Sequence, residues 1–355
     1  KDYWVVKLDA QGNKIWDRTY GGTGEDRCNG AFEISNNGYL IYGGSTSTEG
    51  GDRNAQSKGN QDFWIVRIDI NGSILWDKAY GGSHFEYCTD AIHTSDGGYL
   101  LGGTSSTWSD GDLSQTSRGG NDFWIVKTDA NGSKLWDKRF GGSGADGLKQ
   151  MLATPEGGYL LGGYSLSEKS GDKSESSRGE ADYWIVKIDA NGSKTWDRTF
   201  GGSGDDWGTT LVPTNDGGFL LTGSSESNAT GDKSENSGNY FSYWAVRVDA
   251  NGLKVWDKTF SSNGDEWNSA ATETNDGNFV LVGRAWGQGE SGDRSEASHG
   301  LSDYWVLKID DSGNILWDKN LGGTWDDWGE SILTTSDGGY LFSGDSWSSI
   351  GYDKS

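Results

Sequence analysis

Asp182-Tyr-Trp-Ile-Val-Lys-Ile-Asp189, Ala190-Asn-Gly192, Ser193-Lys-Thr-Trp-Asp-Arg-Thr-Phe200, Gly201-Gly-Ser-Gly-Asp-Asp-Trp207 is the stretch that decides the fold. Residues 182–189 alternate and are rich in β-branched and aromatic side chains. Asp189-Ala-Asn-Gly192 supplies the positive-φ positions of a tight hairpin, and 194–200 is the returning strand. After the Gly-Gly-Ser-Gly link come a third strand from Trp207 to Thr214, a turn at Asn215-Asp-Gly-Gly218, and a fourth from Phe219 to Ser224. No segment has a helical period. The first strand is apolar on both faces, with Tyr183 and Ile185 on one and Trp184, Val186 and Ile188 on the other. Such a strand belongs in a sheet covered on both sides.

The same text recurs through the chain. Tryptophans stand at 4, 64, 124, 184, 244 and 305, and a second set follows each by 12 residues, at 16, 76, 136, 196, 256 and 317. Six copies of about 60 residues fill the 355 positions. The spacing predicts an all-β protein: a six-bladed β-propeller with four antiparallel strands per blade, occupying 1–355 as one domain. Of two strand phasings, we favour 207–214 as the inner strand and 194–200 as the outer one. Segment 2–20 then pairs with 328–346 in a shared closing blade. A closed ring needs no capping repeat, unlike a solenoid.

Composition narrows the function classes. The balance is 30 Lys plus Arg against 53 Asp plus Glu, a net charge of −23, so phosphate backbones and anionic membranes are poor partners. No run approaches the roughly 18 apolar residues of a membrane helix. The hydrophobic fraction is only 32%, yet 13% aromatic residues in strict register argue against disorder. The chain begins Lys-Asp-Tyr-Trp rather than with Met and is expected to be a processed or excised piece of a longer product. Cys28 and Cys88 occupy equivalent places in adjacent repeats, near or beyond disulfide reach, and are expected as two buried thiols.

The motifs Asp-Tyr-Trp-Ile-Val-Lys-Ile-Asp, Trp-Asp-Lys-Thr-Phe-Gly-Gly-Ser-Gly-Asp-Asp and Asp-Gly-Gly-Tyr-Leu-Leu-Gly-Gly resemble the β-propeller repeats of large secreted bacterial proteins. These are common among Bacteroidota surface proteins exported by the type IX route, beside adhesion or enzyme modules. The resemblance covers the whole chain. It implies the propeller fold and a secreted or cell-surface location within a larger polypeptide or assembly, and it brings no shared catalytic motif.

Three constellations are candidates for chemistry. Seven tryptophans lie outside the two periodic sets: Trp108, Trp207, Trp267, Trp286, Trp325, Trp328 and Trp347. All fall in or beside the links and long connections, which a propeller gathers on one face. Flat aromatic platforms among Asp, Asn and Ser suit sugar rings. The bland alternative makes Trp207, Trp267 and Trp328, at equivalent positions, wedges between blades. Trp108, Trp286, Trp325 and Trp347 break the repeat and are explained less well that way.

The second constellation is a ring of acids: Asp26, Glu86, Asp146, Asp206, Glu266 and Asp327, at the entry to the inner strand of each repeat. One reading is a Ca²⁺ or other hard-cation site. The other, which we prefer, has each carboxylate accepting N–H bonds from its own Gly-rich link. The third set is Asp52, Asp112, Asp172, Asp232 and Asp293, with Asp353 the sixth, which we read with Arg118 and Arg178 as pins for long loops. Gly142-Ser-Gly144-Ala-Asp-Gly147 fits a dinucleotide fingerprint, but no helix is expected after it and its five siblings lack it. His84, His93 and His299 stand in three different contexts, which argues against a histidine metal site or triad.

The leading expectation is a non-catalytic binding module recognising glycan, or else a surface protein, through its Trp- and Asp-rich face. A structural or protein-docking scaffold of a larger adhesin ranks second. A polysaccharide-degrading enzyme ranks third, because acids repeated six times lack the asymmetry that paired-carboxylate catalysis requires.

Overall fold

The computed structural model describes residues 1–354 apart from 36, 239 and 288–291, and residue 209 in its backbone only. All its regular elements are strands, and they fall in seven antiparallel sheets, five of four strands and two of two, each in sequential strand order. The blades follow the predicted repeat. The chain divides into two compact units, the first Lys1–Tyr159 with Ser167–Lys173 and Asp189–Ser193, the second the remainder.

The first unit opens with a two-stranded sheet, β1 (Tyr3–Leu8) and β2 (Lys14–Tyr20). Two four-stranded sheets follow: β3 (Asp26–Glu33), β4 (Tyr39–Ser45), β5 (Asp62–Ile68) and β6 (Ile74–Tyr80), then β7 (Glu86–His93), β8 (Tyr99–Ser105), β9 (Asp122–Thr128) and β10 (Lys134–Phe140). β11 (Asp146–Ala153) comes next. β12 (Tyr159–Ser165) belongs to the second unit from its second residue on, and there it, β13 (Asp182–Ile188) and β14 (Lys194–Phe200) precede the sheet of β15 (Asp206–Pro213), β16 (Phe219–Ser225), β17 (Ser242–Val248) and β18 (Lys254–Phe260). A further sheet is formed by β19 (Glu266–Glu273), β20 (Phe279–Trp286), β21 (Ser302–Ile309) and β22 (Ile315–Leu321). β23 (Asp327–Thr334) and β24 (Tyr340–Ser346) form the second two-stranded sheet.

Both periodic tryptophan sets have a physical reason. β5, β9, β13 and β17 are buried along their whole length, as their two apolar faces require. Trp64, Trp124, Trp184, Trp244 and Trp305 are 0% exposed. Each such burial is worth on the order of 5 kcal/mol of transfer free energy. A buried indole N–H needs an acceptor, and the Asp of each Trp-Asp pair supplies it. Trp64 Nε1 donates to Asp77 at 3.0 Å, Trp184 to Asp197 at 3.1 Å and Trp244 to Asp257 at 3.2 Å. The same carboxylates accept loop N–H groups, Ser174 on Asp197 and Ser234 on Asp257, both at 2.8 Å. One acid thus fixes a core tryptophan and a long connection together.

The second set staples sheet to sheet within each unit. Trp256 Nε1 donates to the Asp311 carbonyl at 2.9 Å, and a Cβ on Gly252, where φ is +74°, would stand 2.8 Å from the Trp196 ring. Glycine is required there twice over, for the left-handed backbone and for the close approach. Another tie runs from the residue before each core tryptophan. Tyr3 Oη donates to the Trp64 carbonyl at 3.2 Å, Tyr183 to that of Trp244 at 3.2 Å and Tyr243 to that of Trp305 at 3.0 Å.

Cys28 departs from expectation. Both thiols are free, and Cys88 is buried beside Phe63 and Tyr99, but Cys28 is exposed. β7 packs against β4 of the preceding sheet, which covers Cys88. β3 opens its unit's run of four-stranded sheets and has no such sheet before it.

Candidate functional site

The six repeated acids sit at the first residue of β3, β7, β11, β15, β19 and β23, one to a sheet, and every one is buried. Their partners are local. Asp206 accepts the Gly202 N–H at 2.7 Å and the Ser227 hydroxyl at 2.9 Å, and Asp327 accepts Gly323 N–H and Ser348 Oγ, both at 2.8 Å. Glu86 takes Gly82 N–H at 2.8 Å, Ser105 Oγ at 2.8 Å and Thr107 Oγ1 at 2.6 Å. Asp26 and Asp146 repeat the pattern with Gly22 and Ser47, and with Gly142 and Ser167. These bonds answer to the turn-binding reading. Among the described residues no group of three or more His, Cys, Asp or Glu is disposed to hold a metal ion. Within each unit, the acids considered for Ca²⁺ form no such group among the described residues.

Glu266 is the exception in chemistry. The serines at 45, 105, 165, 225 and 346 become Ala285 in its repeat, and the second hydroxyl, at 47, 107, 167, 227 and 348, becomes Gly287. Both donors to the acid are lost. Ser262 Oγ still donates to Oε1, while Oε2 is buried without a partner. Burial then pushes the carboxyl up to about 7.

The Gly-Asp loop residues do pin the long loops. Arg118 Nε meets Asp172 at 2.9 Å and Arg178 meets Asp232 at 2.9 Å, while Asp293 accepts the Ser261 N–H at 2.9 Å. His299 Nδ1 lies 3.1 Å from an Asp353 carboxylate oxygen, and its ring stacks on Tyr352.

The seven off-pattern tryptophans divide. Trp207, Trp267 and Trp328 are half-buried. Trp207 packs edge-on against Tyr164 at 4.7 Å, and Trp267 lies 4.3 Å from Phe241 and donates to Asp265 at 3.1 Å. Trp328 meets Trp347 edge-on at 4.8 Å and donates to Ser302 Oγ at 3.1 Å. These three act as wedges. Trp108 of the first unit is 67% exposed, and in the second unit Trp286, Trp325 and Trp347 are 37%, 58% and 57% exposed.

The exposed rings of the second unit are held. Trp286 Nε1 donates to Asp326 Oδ1 at 3.1 Å, and Ser302 Oγ donates to the same oxygen at 2.6 Å. The Trp347 backbone N–H donates to the Asp326 carbonyl at 2.9 Å, a main-chain bond. Asp326 thereby anchors the Trp286 indole, while the Trp347 ring is placed by its edge-on contact with Trp328. At the centre stands Arg284, whose guanidinium carbon lies 5.9, 5.4 and 4.1 Å from the Trp267, Trp286 and Trp328 ring centroids. The reading by residue type passed over Arg284 and Asp326. The signal was nonetheless in the sequence, since the positions matching Arg284 hold Gly44, Thr104, Tyr164, Ser224 and Asp345.

No family model and no curated protein matches the chain. Among solved structures, a protein of unknown function from Bacteroides caccae is 13% identical, with 90% of this chain and 94% of that chain covered, at a TM-score of 0.42. A mutant Synechocystis apocarotenoid oxygenase is 11% identical at a TM-score of 0.39, with 77% of this chain covering 60% of that one. At these TM-scores neither bears on the fold or chemistry of this chain.

Proposed function

We propose that the chain is a non-catalytic, secreted or cell-surface binding module that recognises glycan through the aromatic corner of its last repeats. The observation that carries this reading is the exposure of Trp286 and Trp347 while the Trp286 indole is tethered to Asp326 and the Trp347 ring is packed edge-on against Trp328. An indole held rigid and left wet has its ordering cost already met, and its face suits the apolar face of a pyranose. Trp325 extends the surface, and Trp108 offers a separate contact in the first unit.

The corner rests, in this proposal, on a six-bladed ring in which β1 and β2 complete the sheet of β23 and β24. In the first four-stranded sheet, β4 pairs Gly43 with Trp64 and Ser45 with Asp62. Carried to the last repeat, that register sets Gly344 opposite Trp4 and Ser346 opposite Asp2. The buried pair Arg53–Asp62 then has its counterpart in Lys354 and Asp2. Apolar residues on both edges support the match: Trp4, Leu8, Leu333 and Leu341 are each more than half exposed, where Trp64, Ile68 and Leu40 are fully buried.

The test is a panel of neutral and acidic polysaccharides read by intrinsic tryptophan fluorescence, with Trp286→Ala and Trp347→Ala beside the wild type. Binding that falls about tenfold or more in both variants, with unchanged melting temperature, supports the module. Binding that ignores both substitutions removes the corner from the reading. If no polysaccharide binds, the scaffold function takes its place.

A further inference from the structure

We infer that the aromatic corner takes an acidic saccharide and that Arg284 receives the carboxylate of a uronate residue. This inference rests on the glycan reading above and names its ligand class.

Other buried cations in this chain are hydrogen-bonded on several sides. Arg247 donates to the Val248 and Phe219 carbonyls and to Asp216, and Arg139 donates to Asp122 and to the Thr107, Trp108 and Ser105 carbonyls. Saturation of this kind is the rule for a guanidinium withdrawn from water. Arg284 does not follow it. It is half-buried, its Nε is shielded from solvent with no partner, and among the described residues it forms neither a hydrogen bond nor an ion pair. Its company is three indole rings, the nearest with its centroid 4.1 Å away.

Contact with indole rings stabilises the cation without using its N–H groups, which stay free for a planar anion. A carboxylate accepts two of them in parallel, with both geometry and charge matched. The acids that feel Arg284 do not occupy it. Its charge draws the Glu330 carboxyl down while burial and Asp345 push that group up, and neither acid lies within ion-pair distance among the described residues. Asp326 is engaged by Trp286 and Ser302. Trp286, 5.4 Å from the guanidinium and partly exposed, supplies the stacking surface beside the charge. A sugar acid combines those two recognition elements in one residue.

The probe is polygalacturonate compared with its fully methyl-esterified form, a change made on the ligand so that folding cannot confuse the result. Tryptophan quenching should report binding of the acid form at least about tenfold tighter than the ester, weakened by salt. Arg284→Gln should remove that preference and Arg284→Lys should retain part of it, with melting temperatures monitored for both. Equal affinity for acid and ester, or a preference that persists in Arg284→Gln, overturns the inference while leaving glycan binding intact. A preference for a sulfated neutral polymer over polygalacturonate also overturns it, assigning the site to sulfate esters. Failure of every polysaccharide overturns both readings together.

Discussion

Glu266 should make this protein lose stability as the solution approaches neutrality. The carboxyl has lost two hydroxyl donors, through Ala285 and Gly287, and its Oε2 is buried without a partner. Its folded-state value is raised from 4.5 to about 7. An acid raised on folding contributes stability that is complete below its unfolded value, near 4.5, and is lost as pH climbs through about 7. At about 1.4 kcal/mol per pH unit, the interval corresponds to on the order of 3 kcal/mol between pH 4.5 and 8. The assay is urea unfolding at half-unit intervals across that range, for wild type and Glu266→Gln. Asp90, raised to about 6 by burial, adds a slope of the same sign to both proteins, so the difference between the curves isolates Glu266. The wild type should decline more steeply, and Glu266→Gln should overtake it near neutrality. Ala285→Ser, restoring a donor, should lower the folded-state value, so that the decline becomes smaller and ends at a lower pH. Parallel curves for wild type and Glu266→Gln would refute the reasoning.

Other outcomes follow from the same geometry. Asp197→Ala strips the acceptor from the buried Trp184 indole and from the Ser174 N–H, and should cost about 2–5 kcal/mol by denaturant unfolding. Gly252→Ala places a Cβ against the Trp196 ring at positive φ, whereas Gly217→Ala meets positive φ in open space; the first should lower the melting temperature clearly more than the second. The ring closure proposed above predicts that Val5→Cys with Ser343→Cys, in a background with Cys28 and Cys88 replaced by Ser, forms an intramolecular disulfide on mild oxidation. Exclusively intermolecular disulfides, seen on a non-reducing gel, would assign the free edges to strand exchange between copies.

Much of the architecture was legible because a tightly packed repeat must place the same atoms in the same way each time. Trp184 and Asp197 lie 13 residues apart because a buried indole on one strand needs a carboxylate on the next. The Asp-Ala-Asn-Gly turn was readable for a similar reason, since Asp189 Oδ1 accepts the Asn191 and Ser193 N–H groups and no longer-range partner is needed. The acids at the starts of β7 and β15 accept the N–H groups of Gly82 and Gly202 that the reading expects from the Gly-rich link, whereas the hydroxyls of Thr107 and Ser227, each 21 residues on, lie outside it. Local chemistry of this kind is written in the sequence.

The sequence alone thus determined the strand repeat, the turn chemistry and the residues that break the pattern. Which tryptophans remain wet was decided only in three dimensions. Trp328 and Trp347 are close in composition and context, yet one is wedged beneath Arg284 while the other stands 57% exposed. The exposure of Cys28 and the burial of Cys88 differ likewise, because cover comes from a neighbouring sheet and not from the strand itself. Arg284 shows the reason most plainly. Its identity departs from the repeat in the sequence, but its meaning comes from the indoles at 267 and 328, which two other strands bring against it beside Trp286 of its own strand. Turns and alternation depend on near neighbours, while a site depends on distant residues that only packing brings together.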